Sequence, residues 1–133
     1  MHRQFIRLGG VGMVISISLG ALGAHQVKKM ISASSLEIFH TAVDYLLYHS
    51  LAFLILAVLI QFLDSKYLLR AARLFAAGMV LFSGSLFAIC ALQYRSVAIP
   101  MWLGILTPIG GLCFIVGWVM IALAAFRKPI TNL

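Results

Sequence analysis

Four long stretches of the chain are free of Lys, Arg, Asp and Glu: residues 8–27, 45–63, 74–94 and 96–126. A helix that crosses the hydrocarbon core needs about 20 mainly apolar residues at a rise of ~1.5 Å each. Each stretch therefore supplies one crossing. The last is longer than one crossing requires, and Pro100 marks the loop at its start, so the fourth helix begins near Met101 or Trp102. Ser34-Ser35-Leu36-Glu37 has capping-box spacing, with Ser34 as N-cap and Glu37 reaching back to it. The second helix therefore starts near Ser35, before the membrane does. The pattern predicts an all-α, four-helix transmembrane bundle with helices at about 5–25, 35–63, 68–94 and 101–126. No repeat or linker divides it, so residues 1–133 are read as one membrane domain.

Composition narrows the class. Of 133 residues, 63% are hydrophobic and 10% charged, with a mean hydropathy of +1.09. A soluble domain is nearer half apolar and a quarter charged, and disordered chains are poor in apolar residues. Both classes are excluded. The net charge of +7 would suggest nucleic acid in a soluble protein. Here the cations lie between apolar stretches instead of forming one patch, so they report orientation, and no nucleic-acid partner is expected. Arg3, Arg7, Lys66, Arg70, Arg73, Arg127 and Lys128 fall on one side, against Lys28, Lys29 and Arg95 on the other. That asymmetry places both termini in the cytoplasm. Tyr67, Tyr94 and Trp102 then fall near the interfaces.

The first stretch has a rival reading. Arg3 and Arg7 before an apolar run ending Ala21-Leu22-Gly23-Ala24 resemble a secretory signal with its cleavage site. Against that, Gly12, Ser16, Gly20 and Ala24 recur every fourth residue, a stripe that suits close helix packing and serves no purpose in a discarded leader. Retention is favoured. Gly84, Gly110, Gly111 and Gly117 are expected to pack helices in the same way. Cys90 and Cys113 sit at depths differing by roughly 10 Å, too far apart for a disulfide.

Candidate chemistry gathers on the second helix. Glu37, Thr41, Asp44, Tyr45, Tyr48 and Ala52 share one broad stripe, flanked by His40 and His49. An ionisable group at membrane depth costs a few kcal/mol or more and normally faces protein or trapped water, so this stripe is expected to face the other helices. His25 ends the first helix, Ser83 and Ser85 lie near the middle of the third, and Thr107-Pro108 lies one to two turns into the fourth. The candidate polar cluster is thus His25, Asp44, Tyr45, Tyr48, His49, Ser83, Ser85 and Thr107, placed in the outer half of the bilayer. Helical serines such as Ser83 and Ser85 most often bond the carbonyl four residues back. Metal ligation would need several converging ligands; His40, Asp44 and His25 form no spacing signature, so no metal is assigned. No phosphate loop, nucleotide fingerprint or haem motif is present, no nucleophile–base pair is marked, and no cofactor or catalytic residue is assigned.

GALGAH at residues 20–25, FHTAVDYLLYHSLA from Phe39, LFSGSLF from Leu81, TPIGG from Thr107 and the pair Gly117-Trp118 together resemble the YgdD/YwdK-like small membrane proteins. These are bacterial inner-membrane proteins with relatives in eukaryotes, grouped as a domain of unknown function (DUF423). The resemblance covers nearly the whole chain. It implies four membrane helices, a multi-pass protein of the bacterial inner (cytoplasmic) membrane, and no established activity. Its pattern carries over onto His25, Tyr45, Tyr48, His49, Ser83, Ser85, Thr107 and Pro108 and fits Asp44 poorly, because relatives can carry a neutral residue there.

The first functional reading is a non-enzymatic structural or accessory membrane protein, with the lipid bilayer and other membrane proteins or a second copy of the chain as partners. The alternative is a small oligomeric transporter or channel lined by Tyr45, His49, Asp44 and Thr107. An enzyme acting on a lipid or quinone head group ranks last. A path across the membrane needs polar groups through its whole thickness, and residues 51–60 and 114–126 offer almost none.

Overall fold

A computed structural model describes residues 2–63 and 65–126. Arg127 and Lys128, which entered the charge count above, lie outside the described residues. Helix α1 (His2–His25) leads through a 3-10 turn (Val27–Lys29) to α2 (Ala33–Leu59). The third crossing is composite: α3 (Ser65–Gly78), a π-helical turn (Met79–Ser83) and α4 (Gly84–Tyr94). Helix α5 (Met101–Ala125) is the fourth. The four crossings are all long and apolar enough to span a bilayer, and the described residues contain no strand. The chain is therefore an all-α bundle of four transmembrane helices. Helix α1 packs along α2, α2 packs on the π turn and α4, and the third crossing packs on α5.

The start of α2 differs from the expectation. Ser32, with an extended backbone (φ −64°, ψ 160°), is the N-cap, and its Oγ accepts from the Ser35 N–H at 3.2 Å. The cap is not Ser34, which lies inside the first turn and bonds Ser32 Oγ at 3.1 Å. Ser32 is the last extended residue before the helix, and its hydroxyl has the same three-residue reach. At the end of α4, Val97 N–H donates to Leu92 O and Ser96 N–H to Gln93 O, both at 3.0 Å. This is a Schellman closure. Ser96 holds the left-handed position (φ 55°) that glycine usually takes.

Lipid tails are as apolar as leucine, so membrane helices associate through close packing. Here four phenylalanines are seated on four glycines. A side chain at Gly23 would meet the Phe39 ring at 2.8 Å; one at Gly78 would strike Phe114, one at Gly117 Phe75, and one at Gly110 the backbone nitrogen and Cβ of Phe82. Gly12 faces Ser50 across the α1–α2 contact, and the buried Ser16 donates to the Gly12 carbonyl at 2.7 Å. Gly20 and Gly111 stand at ordinary contact distance, 3.6 Å from Val43 and 3.8 Å from Phe82. Gly84 departs from its expected packing role: it is exposed and a side chain there would touch nothing. The π turn just before it changes the face on which α4 begins, which spacing alone does not reveal.

These contacts set a graded test. Gly110→Ala must displace backbone and should lower stability by about 1–3 kcal/mol, read as a lower unfolding midpoint in detergent. Gly84→Ala should stay within about 0.5 kcal/mol of the parent.

Candidate functional site

Buried apolar side chains form two groups. One gathers Phe53, Leu56, Leu68, Phe75 and Phe114 toward the terminal side of the bundle. The other joins Phe39, Val43 and Cys90 near the loops. Of the buried polar residues, Ser35 sits beside Cys90 at the loop end, and Ser16, His49, Ser50, Ser83 and Ser85 lie farther from the loops. Counted from the loop side, His49 is past the midpoint of α2 and Trp118 past that of α5. The polar layer thus extends past the middle of the bundle at His49, where the expected outer-half placement does not hold, while Tyr45, Ser85 and Thr107 stay on the loop side of their crossings.

His49 is 3% exposed. Its ring stacks on Phe114 (centroids 3.5 Å apart, 11° between planes) and meets Phe75 edge-on at 5.1 Å. Trp118 Nε1–H donates to His49 Nε2 at 3.3 Å. With Nε2 accepting, the ring hydrogen resides on Nδ1, which donates to the Tyr45 carbonyl at 2.8 Å. Both ring nitrogens are used, and one neutral tautomer satisfies both bonds. Tyr45 packs on Phe82 (4.4 Å) and Phe114 (5.9 Å). One level nearer the loops, Ser85 and Thr107 share a hydrogen bond of 2.7 Å between α4 and α5. Ser85 also donates to the Phe82 carbonyl at 2.9 Å, three residues back.

Ser83 departs from the usual serine pattern. It is buried, and its hydroxyl has no hydrogen-bond partner among the described residues. The carbonyl four residues back belongs to Met79, and in the π turn that carbonyl accepts from the Gly84 N–H. π turns inside α-helices occur frequently at functional sites. This one sits where Phe82 meets Gly110, two residues after Pro108.

The remaining candidates lie elsewhere. His25 is the exposed last residue of α1, and Asp44 is exposed on α2. Tyr48 is 55% exposed and touches the cluster only through its edge-on contact with Tyr45 at 6.1 Å. The stripe expected to face inward is therefore split. Ala52 is buried and Tyr45 packs on rings, while Glu37, Thr41, Asp44 and Tyr48 face outward. The reason is steric: α2 presents Phe39, Ala42, Val43, Ser50 and Ala52 to its neighbours, and small or flat groups permit the closest approach. Sequence reasoning missed Phe75, Phe82, Phe114 and Trp118, since aromatic rings within an apolar run carry no mark of their partners. Only Trp118 and Phe82 fell within recognised motifs, the Gly117-Trp118 pair and LFSGSLF from Leu81. Among the described residues no three His, Cys, Asp or Glu side chains converge as metal ligands. Cys90 and Cys113 are free thiols.

Four apolar crossings around a hydrogen-bonded, ring-filled centre define a small helical multi-pass membrane protein. The chain belongs to the family described as Protein of unknown function (DUF423), which matches residues 19–111. It is 39% identical over 126 residues to the UPF0382 membrane protein YwdK of Bacillus subtilis, covering 94% of this chain and 98% of that one. It is 35% identical over 125 residues to the UPF0382 inner membrane protein YgdD of Escherichia coli, covering 94% and 91%. A UPF0382 membrane protein of Haemophilus influenzae is 30% identical over 129 residues, covering 96% and 98%. No solved structure matches. The chain is thus a multi-pass protein of the bacterial inner (cytoplasmic) membrane.

The His49–Trp118 bond is testable by a double-mutant cycle. His49→Phe keeps the stack on Phe114 but strands the Trp118 N–H, and should cost about 1–3 kcal/mol in detergent unfolding. In the Trp118→Phe background the same change should cost less, leaving a coupling of at least about 0.5 kcal/mol. Strict additivity would show that the bond contributes nothing.

Proposed function

We propose that this protein is a non-catalytic structural or accessory component of the inner membrane that associates laterally with another membrane helix through α2. The observation that carries this reading is the position of Asp44. Its neighbours Val43 and Tyr45 are level with Gly20 and Phe82, each well inside a charge-free crossing. Asp44 nevertheless faces outward. An ionised carboxylate facing lipid at that depth costs about 2.5 kcal/mol or more. The loop cations belong to the 3-10 turn and the end of α4, outside the α-helical crossings. Thr41 and Tyr48, exposed on the same face, extend the strip. A second helix bearing hydrogen-bond donors relieves the cost, and a second copy of this chain supplies one in Tyr48. The engaged nitrogens of His49 and the Ser85–Thr107 pair support a structural role for the centre.

The unpartnered Ser83 hydroxyl beside a π turn favours a second reading, transport through the centre. Orientation belongs to the proposal too: the exposed Lys66, Arg70 and Arg73 support cytoplasmic termini.

Three measurements test these readings. A photocross-linking amino acid at Tyr48 should give one discrete adduct in native membranes, while the same residue at the even more exposed Val80 gives none; equal yields defeat the lateral face. Liposomes carrying the protein should show no proton or solute flux above empty vesicles, whereas a flux abolished by His49→Ala would establish transport instead. A C-terminal reporter that functions only in the cytoplasm should be active.

A further inference from the structure

A second feature lies away from the central layer. Where α1, the 3-10 turn, α2 and α4 meet, an open groove of about 390 Å³ is lined by Leu19, Val27, Phe39, Phe87, Cys90 and Ala91. Directly beside it is a pocket of about 300 Å³ built from Ser32, Ser34, Ser35 and Gln93. The two share Met30, Ile31 and Tyr94 as walls, so they form one cavity with a greasy and a hydroxylated end. Ligand sites commonly measure roughly 300–1,000 Å³. The greasy end runs down the crossings into hydrocarbon, and the hydroxylated end lies at loop level, where lipid head groups reside.

The polar end is braced from within. Ser35 Oγ donates to Gln93 Oε1 at 2.7 Å, and Cys90 Sγ donates to the Ser35 carbonyl at 3.3 Å, tying the two ends together. The Gln93 amide N–H groups donate to no described residue, which leaves donors for an acceptor in the pocket. Cations flank the shared walls in sequence. Lys28 and Lys29 directly precede the shared Met30, and Arg95 directly follows the shared Tyr94; all three are exposed. Amide and hydroxyl donors with cations close by in the chain suit a phosphodiester.

We propose that this composite cavity binds one anionic phospholipid from the leaflet on the loop side, its acyl chain in the groove and its phosphodiester on Ser34, Gln93 and the three cations. Hydrocarbon gains nothing hydrophobic by moving from bilayer to groove, so the head group sets the selectivity. Zwitterionic phosphatidylcholine, whose choline cation is repelled by the three basic residues, is excluded in favour of phosphatidylglycerol.

Native mass spectrometry of the full-length protein with equimolar phosphatidylglycerol and phosphatidylcholine tests this. The expected result is a one-to-one adduct dominated by phosphatidylglycerol. Lys28→Gln, Lys29→Gln and Arg95→Gln should each weaken it about fivefold, the contribution of one cation near an anionic head group. Ala91→Trp, at an exposed wall position, should block the groove and abolish the adduct with either lipid. Equal retention of both lipids, or an adduct indifferent to Ala91→Trp, overturns the proposal. A variant-free measurement guards against misfolding: phosphatidylglycerol with a photoreactive acyl chain should label the Phe87–Tyr94 region above the Val80 face. Labelling no greater there than at Val80 overturns it as well.

Discussion

Everything in this bundle rests on how closely two helix backbones approach where oily side chains earn nothing by meeting. Phenylalanines laid against bare glycines provide that approach. The Phe75 ring and the backbone of Phe82 in the third crossing lie on Gly117 and Gly110 of α5, and the Phe114 ring of α5 returns the contact on Gly78. The exchange is reciprocal, so it fixes both the depth and the rotation of one helix against the other. Phe39 on Gly23 does the same for the first hairpin. Dispersion over flat ring faces is the attraction that remains once the hydrophobic term is gone.

The central hydrogen bonds follow from that packing. Phe114 and Phe75 bring α5 and the third crossing against α2 at the level where His49 enters, and the imidazole fills the remaining space as a third stacked ring. Only then does the Trp118 N–H find its acceptor. A buried histidine at membrane depth is a candidate functional group. Here both ring nitrogens are bonded within the bundle, an arrangement that supports the proposed structural reading.

How much of this was legible in the sequence depended on the kind of information. The crossings were legible because charge is so costly in lipid that its absence over residues 8–27 or 74–94 admits one explanation. The packing roles of Gly12, Gly110 and Gly117 were legible because small residues have few other uses there. The residues that meet Gly110 and Gly117 were not, since Phe82 and Phe75 look like any other apolar position. The facing of α2 misled for a physical reason. Amphipathicity gives the angle between two faces but not which face a neighbour occupies, and α2 is held by its small and flat residues, leaving Asp44 and Tyr48 outside. Ser83, Ser85 and Thr107 were recognised as residues, but their arrangement depends on a π turn that no local spacing announces.

That turn is one residue inserted into an otherwise regular helix. Each residue advances a helix by about 100°, so the insertion resets the phase of everything beyond it. Had the third crossing run on in unbroken α-helical register, α4 would be turned by about that angle relative to α3. Ser85 would then leave Thr107 while Phe75 stayed on Gly117. The third crossing thus behaves as a shaft keyed at two angles, its lower half cut to the rings of α5 and its upper half to a hydroxyl.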